Sequence, residues 1–132
     1  MMKIKTNQLT GAALDWAVAI CEGFTDYDHA TETMLPPRKE YGRVNMYEYS
    51  YSTDWAEGGP IIEREKVCVE YMAGAGDGGL DVWVTEVLHE DRKYSGVTSS
   101  AGEGPTPLIA AMRCYVASKL GDYIDIPEEL TP

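Results

Sequence analysis

The chain has 132 residues, of which 44% are hydrophobic, and this composition fits one globular domain over residues 1–132 and excludes a disordered chain. Acidic residues number 22 and basic residues 11, so the net charge of −11 argues against direct binding to a nucleic-acid backbone. No apolar run reaches the ~20 residues that span a bilayer, and the first residues lack a secretory signal. We therefore expect a cytoplasmic protein with no membrane partner.

The first predicted element is a helix over residues 10–23. Thr10 is a favourable N-cap, Gly23 is a favourable C′ residue, and the apolar residues between them recur at helical spacing. Residues 24–42 are polar, contain two consecutive prolines, and are predicted to form a loop. Residues 42–51 alternate in polarity, which fits either a strand with an aromatic face or an ordered loop.

The next stretch, residues 51–65, has the sequence YSTDWAEGGPIIERE. A serine or threonine at its start can cap a turn through the tryptophan. Gly58-Gly59 is predicted to break that turn, and Pro60 is well placed as the first residue of a new short helix.

A β-hairpin is predicted in the middle of the chain. Residues 66–72 and 80–88 both have strand-like alternation, and the sequence GAGDGG between them predicts a tight turn. Residues 89–105 are polar and rich in glycine and serine, which favours a flexible connection.

The last predicted helix covers residues 106–121. Thr106 is its N-cap, a proline follows at the first helical position, and Gly121 is its C′ residue. A short strand is predicted before Pro127. Together these elements predict an α/β domain of the α+β type, in which an antiparallel sheet carries about three helices, and we expect it to form a homo-oligomer.

Three long and unusual segments occur in order along the chain: MKIKTNQLTGAALDWAVA, YSTDWAEGGPIIERE and GPTPLIAAMRCYVASKLGD. They resemble the NinX family of small proteins encoded by tailed phages and prophages, and the resemblance runs from Met2 to about Leu130. It implies a phage accessory protein and supplies no catalytic residue to transfer. A weaker similarity to phage ABA sandwich domains implies an α-β-α sandwich, with helices on both faces of a sheet.

No motif in the sequence defines an enzyme or a metal site. There is no Walker loop, no G-x-G-x-x-G after a strand and no H-E-x-x-H, and His29 and His89 are isolated. Cys21, Cys68 and Cys114 form no C-x-x-C pair and lie in apolar patterns, so they are predicted to be buried free thiols. We expect no cofactor, no metal and no catalytic residue, although a hydrolase with an unrecognised site remains an alternative.

Two glycine-led helix starts are candidate anion sites, because a helix N-terminus offers free N–H groups and the positive end of the helix dipole. One lies at GEGPTP, residues 102–107, where ordinary capping by Thr106 is the competing explanation. The other lies at Gly58-Gly59, beside Trp55, which can either stack on a flat ring or fill the core.

The favoured hypothesis is therefore a non-enzymatic phage protein that binds a small anionic, nucleotide-derived ligand and sequesters it from host defence. In this hypothesis the tryptophan stacks, the glycines and the threonine donate backbone N–H groups, and the arginines meet phosphate. The predicted ligand contacts are Asp54, Trp55, Gly58, Gly59, Arg64, Thr106 and Arg113.

The alternative hypothesis is an acidic interaction module that docks on a host or phage protein. The net charge of −11 supports it, and acidic residues cluster at 63–65, 86–91 and 128–129. Capture of a protein partner that is lost at high salt would favour this alternative over ligand binding.

Overall fold

The computed structural model describes residues 1–91 and 96–131, without the side chains of residues 89–91 and 96–98. Its described part contains three α-helices and eight β-strands, linked by short 3-10 turns. The helices are α1 (Gly11–Cys21), α2 (Trp55–Glu65) and α3 (Pro107–Leu120). The strands are β1 (Met2–Lys5), β2 (Thr25–Asp28), β3 (Thr33–Leu35), β4 (Val44–Asn45), β5 (Cys68–Met72), β6 (Val82–Asp91), β7 (Gly96–Gly104) and β8 (Tyr123–Ile126).

The strands form three antiparallel sheets in the described residues: β1-β8, β2-β3-β4 and β5-β6-β7. The last of these is the largest, and α3 packs on β6 and β7. Helices α1 and α2 pack in turn on α3. The predicted α+β class is confirmed, and α3 is the central element of the core.

The helices described here lie on one face of the β5-β6-β7 sheet. Thr85 and Val87 are buried on the face toward α3, whereas Glu86 and Leu88 point the opposite way and are exposed. The layer order is therefore sheet, α3, then α1 and α2. This order differs from the α-β-α sandwich, which would cover both faces of one sheet.

Contact between α3 and the sheet is unusually close because of a glycine and a threonine. A Cβ atom at Gly102 would overlap the Ala110 carbonyl oxygen and would lie 2.7 Å from the Cys114 amide nitrogen. Thr85 is buried beside it and donates its hydroxyl to the Ala110 carbonyl oxygen at 2.7 Å, with the Gly102 carbonyl oxygen as a second acceptor at 3.2 Å. The small residues of β7 thus let the helix backbone approach the strand backbone.

Two predicted helices form with the expected ends. In α1, Thr10 is the N-cap residue, although its side chain makes no capping hydrogen bond, and Gly23 follows the helix with a φ of 102°. In α3, the Thr106 hydroxyl oxygen accepts a hydrogen bond from the Ile109 amide at 3.1 Å, and Gly121 has a φ of 89°. These ends depend on local chemistry that the sequence displays directly.

The predicted break at Gly58-Gly59-Pro60 is wrong, because α2 runs without interruption from Trp55 to Glu65. The Asp54 carboxylate caps this helix by accepting from the Ala56 amide at 2.9 Å. Pro60 has no N–H and so leaves the Ala56 carbonyl without its usual helical donor. Packing outweighs that loss, since Ile61 is 1% exposed and lies in the core.

Two predicted loops also contain strands. Residues 24–42 include β2 and β3, and residues 89–105 include the end of β6 and all of β7. The glycines of β7 reflect the close approach of α3, so the prediction of a flexible connection is wrong for 96–104. Residues 92–95 lie outside the described residues.

The cysteines have three different environments. Cys114 is fully buried and Cys21 is partly buried, but Cys68 is exposed on β5, which corrects its predicted burial. Burial raises the pKa of the Cys21 thiol to about 12, and the charge of Glu22 adds to the effect. Within the described residues, no helix is long and apolar enough to cross a membrane.

Candidate functional site

The start of α3 lies between two surface pockets. Thr106 closes the first turn of the helix through its hydroxyl, and Leu108 points into the core with 2% exposure. The preceding segment, Glu103–Pro105, borders the larger pocket, whereas Thr106 and Ile109 border the smaller one. Both pockets are therefore positioned by the helix that organises the fold.

The larger pocket, called the Arg113 pocket below, has a volume of about 450 Å³. Its walls come from β1 and the turn that follows it, from the hairpin tip between β5 and β6, and from the start of α3. The lining residues are Lys5, Asn7, Gln8, Gly76, Asp77, Leu80, Asp81, Val82, Glu103, Gly104, Pro105 and Arg113.

The Arg113 guanidinium is held in place by two backbone oxygens. Its Nε donates to the Leu9 carbonyl at 2.8 Å, and its Nη1 donates to the Glu103 carbonyl at 2.8 Å. In the described part of the chain, no carboxylate oxygen lies within ion-pair distance of it. Partial burial lowers the pKa of Arg113, while the charge of Glu103 opposes that shift. The result is a fixed, partly buried cation that has no ion-pair partner among the described side chains.

The carboxylates of this pocket differ in the hydrogen bonds that they accept within the protein. Asp81 accepts from the Tyr71 hydroxyl and from the Gly74 amide, and the hydrogen bond from Tyr71 lowers the pKa of Asp81. Glu103 accepts weakly from the Asn7 side-chain amide at 3.4 Å. The pocket therefore carries charges of both signs, with the cations Lys5 and Arg113 facing carboxylates that are partly engaged in hydrogen bonds.

The smaller pocket brings together two of the predicted ligand residues, Trp55 and Thr106. Its volume is about 190 Å³, and Trp55 is 56% exposed at its border. The alternative in which this tryptophan fills the core is therefore wrong. The Thr106 hydroxyl is already engaged as the helix cap. The full lining is Ser52, Thr53, Trp55, Thr106, Leu108 and Ile109.

The remaining predicted residues of α2 have intramolecular roles. Asp54 caps the helix, and the Gly58 amide donates to the Asp54 carbonyl at 2.9 Å. The Gly59 amide lies inside the same helix, where it has a helical acceptor. The predicted role of these two glycines as donors of free N–H groups is therefore corrected.

Arg64 lies near the far end of α2 and lines neither pocket. Its Nη1 and Nη2 contact the two carboxylate oxygens of Glu22 at 3.1 and 2.6 Å, and Nη2 also contacts the Tyr115 hydroxyl at 3.1 Å. Tyr115 donates its own hydroxyl to Glu22 at 2.7 Å. Burial acts to raise the pKa of Glu22, but the hydrogen bonds from Arg64 and Tyr115 outweigh it and lower that pKa. Arg64 of α2 thus contacts both Glu22, at the end of α1, and Tyr115 of α3.

Several residues of the Arg113 pocket were not predicted from the sequence. Lys5 belongs to the first strand, and Asp77 belongs to a hairpin tip that looked like a simple turn. Their proximity to Arg113 arises only when β1 and the hairpin pack beside α3. The glycines of the hairpin tip were the one sequence feature that could have indicated this part of the pocket, because glycines permit close approach to a site.

Metal-ligating side chains do not gather at either pocket. No group of three or more His, Cys, Asp or Glu side chains within the described residues is placed to hold a metal ion. His29 instead contacts the Glu129 carboxylate at 2.7 Å, on the surface, and Tyr27 donates to the same oxygen at 3.0 Å.

Comparison with known families places this α+β fold among phage proteins. The family model described as bacteriophage P22, NinX, matches residues 5–119, which is most of the chain. The chain therefore belongs to the NinX family, and the resemblance drawn from the three sequence segments is confirmed. No curated protein matches the sequence.

Proposed function

We propose that this phage accessory protein is not an enzyme and that it binds a small anionic, nucleotide-derived ligand in the Arg113 pocket. In this proposal it acts in the cytoplasm of the host and withholds the ligand from host defence. Of the predicted ligand contacts the proposal keeps Arg113, and it moves the site away from Thr106 and from residues 51–65 to the pocket between α3, β1 and the hairpin tip.

The observation that carries the proposal is the state of Arg113. A partly buried guanidinium is normally paired with a carboxylate, because removal of a charge from water is costly. Here two backbone carbonyls fix its orientation, and no ion-pair partner lies within the described residues. A bound phosphate or carboxylate would supply the missing negative charge.

The remaining lining of the Arg113 pocket fits a ligand with both charged and neutral polar groups. A volume of about 450 Å³ is within the range of small-molecule sites. Asn7 and Gln8 offer amide donors and acceptors, Leu80 and Val82 offer apolar surface, and Lys5 adds a second cation. This mixture supports a ligand that joins an anion to a hydrogen-bonding ring or sugar.

Isothermal titration against cyclic nucleotides and ADP-ribose derivatives tests the proposal. Lys5→Glu is the informative variant. Lys5 is exposed, so the substitution reverses the sign of one charge in the pocket without changing the core. Lys3→Glu is its matched control, because Lys3 is also exposed on β1 and lies outside the pocket lining. We expect Lys5→Glu to weaken binding roughly tenfold or more and Lys3→Glu to leave it unchanged.

Flat titrations of the unmodified protein across that panel would overturn the proposal. Equal losses in the two lysine variants would also contradict it, because they would show an effect of net charge alone. A co-purified molecule that absorbs like a nucleobase, and that is released on denaturation, would support it.

The second candidate function is docking on a basic protein, and the uncovered sheet face favours it. Glu70 and Glu86 are exposed on that face, beside Val84, and form no ion pair in the part of the chain with described side chains. Pull-down from host lysate with Glu86→Lys tests this candidate, with Glu128→Lys as a control of equal charge change. Docking predicts capture that Glu86→Lys and high salt both abolish; capture that neither affects would argue against it.

A further inference from the structure

The charges that line the Arg113 pocket do not favour a simple inorganic anion. They belong to two cations and three carboxylates: Lys5, Arg113, Asp77, Asp81 and Glu103. Because the carboxylates outnumber the cations, an anion that carries no hydrogen-bond donor is repelled by more groups than attract it. A ligand that fits the whole pocket therefore brings hydrogen-bond donors to the carboxylates as well as a negative charge to the cations.

Asp77 is the carboxylate of this pocket with both oxygens open to a ligand. Asp81 already accepts two hydrogen bonds from its own hairpin. Glu103 accepts from Asn7, and it lies close enough to Arg113 for its charge to act on the guanidinium. Asp77 is exposed at the hairpin tip, and its side chain makes no hydrogen bond or ion pair within the part of the chain that the structure describes.

An apolar surface lies beside that carboxylate. The Leu80 amide contacts the Asp77 carbonyl at 3.4 Å across the hairpin tip, and Leu80 is 70% exposed where it lines the pocket. An exposed leucine next to a free carboxylate matches the two surfaces of a nucleobase, which has an apolar face and a hydrogen-bonding edge. The hairpin tip is therefore the part of the pocket that fits a base, and Lys5 and Arg113 are the part that fits phosphate.

The nucleobases differ in what their hydrogen-bonding edges offer to a carboxylate. Guanine presents two adjacent donors, the ring N1–H and the exocyclic amino group, and these match the two oxygens of one carboxylate. Adenine and cytosine each present one amino donor beside a ring-nitrogen acceptor, and uracil presents one N–H between two carbonyl oxygens. A carboxylate that reads this edge therefore selects guanine, because every other base sets an acceptor against it.

Given the proposed nucleotide site, on which this inference rests, we propose that the ligand is a guanine nucleotide. The edge of its base donates to the Asp77 carboxylate, and its phosphate binds Arg113 and Lys5. Asp77 is thereby the residue that determines which nucleotide the pocket accepts.

Isothermal titration with the 5′-monophosphates of guanosine, adenosine and xanthosine tests the preference. We expect the unmodified protein to bind the guanosine nucleotide roughly tenfold or more tightly than the adenosine nucleotide. Equal or tighter binding of the adenosine nucleotide would overturn the preference for guanine and leave the nucleotide site in place. Binding of none of the three would also overturn it, and the cyclic nucleotides and ADP-ribose derivatives then decide the proposed function separately.

The variant Asp77→Asn tests the role of the carboxylate by exchanging one acceptor for a donor. An amide at this position matches xanthine, whose edge has a carbonyl where guanine has its amino group. We expect Asp77→Asn to bind the guanosine nucleotide roughly tenfold or more weakly and the xanthosine nucleotide more tightly than the unmodified protein does. Asp125→Asn is the matched control, since Asp125 is exposed on β8 outside the pocket lining, and it should change neither affinity. Loss of both nucleotides together in Asp77→Asn, or no change in either, would overturn the assignment of Asp77.

Discussion

Gly58 and Gly59 are neighbours in α2 with opposite surroundings. A Cβ atom at Gly58 would overlap the Tyr51 carbonyl oxygen and would lie 2.6 Å from Leu108 Cδ1. At Gly59 the nearest atom to a new Cβ is Trp55 Cε3, at an ordinary contact distance of 3.7 Å. The first glycine is required by packing, and the second is only a weak helix former.

Alanine at these two positions is therefore expected to change stability in opposite directions. Gly58→Ala should lower the free energy of unfolding by about 1–3 kcal/mol, because the core must shift to admit the methyl group. Gly59→Ala should raise it by up to about 1 kcal/mol, because alanine has the better helix propensity. Urea denaturation measures both, and shifts of the two midpoints in the same direction would contradict the packing argument.

The buried carboxyl of Asp15 makes the stability of the fold depend on pH. It is 8% exposed and accepts from the Ser52 amide at 2.9 Å, and burial raises the pKa of its carboxyl above the usual value. In the unfolded chain the carboxyl ionises more easily, so the folded state loses stability as pH rises through and above the ordinary value of 3.8. Ionised Asp15 therefore lowers the free energy of unfolding at neutral pH.

Asp15→Asn is expected to raise the melting temperature at neutral pH. The amide oxygen of asparagine can still accept from Ser52, but no charge has to be buried. The gain should shrink as the pH is lowered, since the carboxyl of the unmodified protein then becomes neutral in both states. A lower melting temperature for the variant at neutral pH would show that the charge itself is stabilising.

At the scale of elements, Glu22 connects α1 to α2 and α3. It accepts from Arg64 and from Tyr115, and its lowered pKa means that the folded state favours the ionised carboxylate. For such a group the contribution to stability is present above the ordinary value of 4.5 and is lost as pH falls through the folded-state value below it. The three helices are thus joined by a contact that weakens in acid.

Glu22→Gln should therefore cost stability at neutral pH and little in acid. The expected loss is about 1 kcal/mol or less, since Arg64 is half exposed and water screens the pair. Thermal melts of both proteins from neutral to acidic pH should converge as the carboxylate of the unmodified protein is protonated. Curves that stay parallel over that range would show that Glu22 acts through packing alone.

Elements with strong local end signals were predicted well, and elements determined by packing were not. The caps Thr106 and Gly121 defined α3, because capping depends on a few adjacent residues. By contrast, the glycine signal in α2 was interpreted as a break and that in β7 as part of a flexible connection, although Gly58 and Gly102 permit contacts with distant parts of the chain. The sequence alone does not distinguish a glycine that permits close packing from a glycine that permits a turn.

The candidate site was predicted in part for the same reason. Arg113 was among the predicted ligand contacts and lines the larger pocket, and Trp55 and Thr106 border the smaller one. Lys5 and the hairpin tip were missed, because only the tertiary fold brings the first strand and the tip beside α3. Arg64 was assigned to a ligand because its carboxylate partner is distant in sequence.

At the scale of the whole molecule, the net charge of −11 and the cations of the Arg113 pocket act over different distances. The proposed anionic ligand would be attracted by Lys5 and Arg113 only at short range and repelled by the molecule as a whole at long range. Salt shortens the range of the repulsion first, because the Debye length falls to about 10 Å at 0.1 M ionic strength.

The association rate of a nucleotide ligand is therefore expected to rise when salt is increased from very low to near-physiological concentration. Stopped-flow measurements with a fluorescent nucleotide analogue would give this rate. Proteins with basic binding surfaces show the opposite trend, so a rate that falls with added salt would argue against a short-range anion pocket in an acidic molecule.

The central position of α3 has a consequence for how the polypeptide acquires its structure during synthesis. The sheet and the other two helices pack on α3, and among the described strands β1 pairs with β8 alone, which follows α3. Ribosomes synthesise the chain from its N-terminus. Strand β1 and helix α1 are therefore made well before β8 and α3, on which they pack. We expect the nascent protein to remain sensitive to protease until residues beyond Ile126 have emerged, and to fold more slowly than helical proteins whose contacts are local.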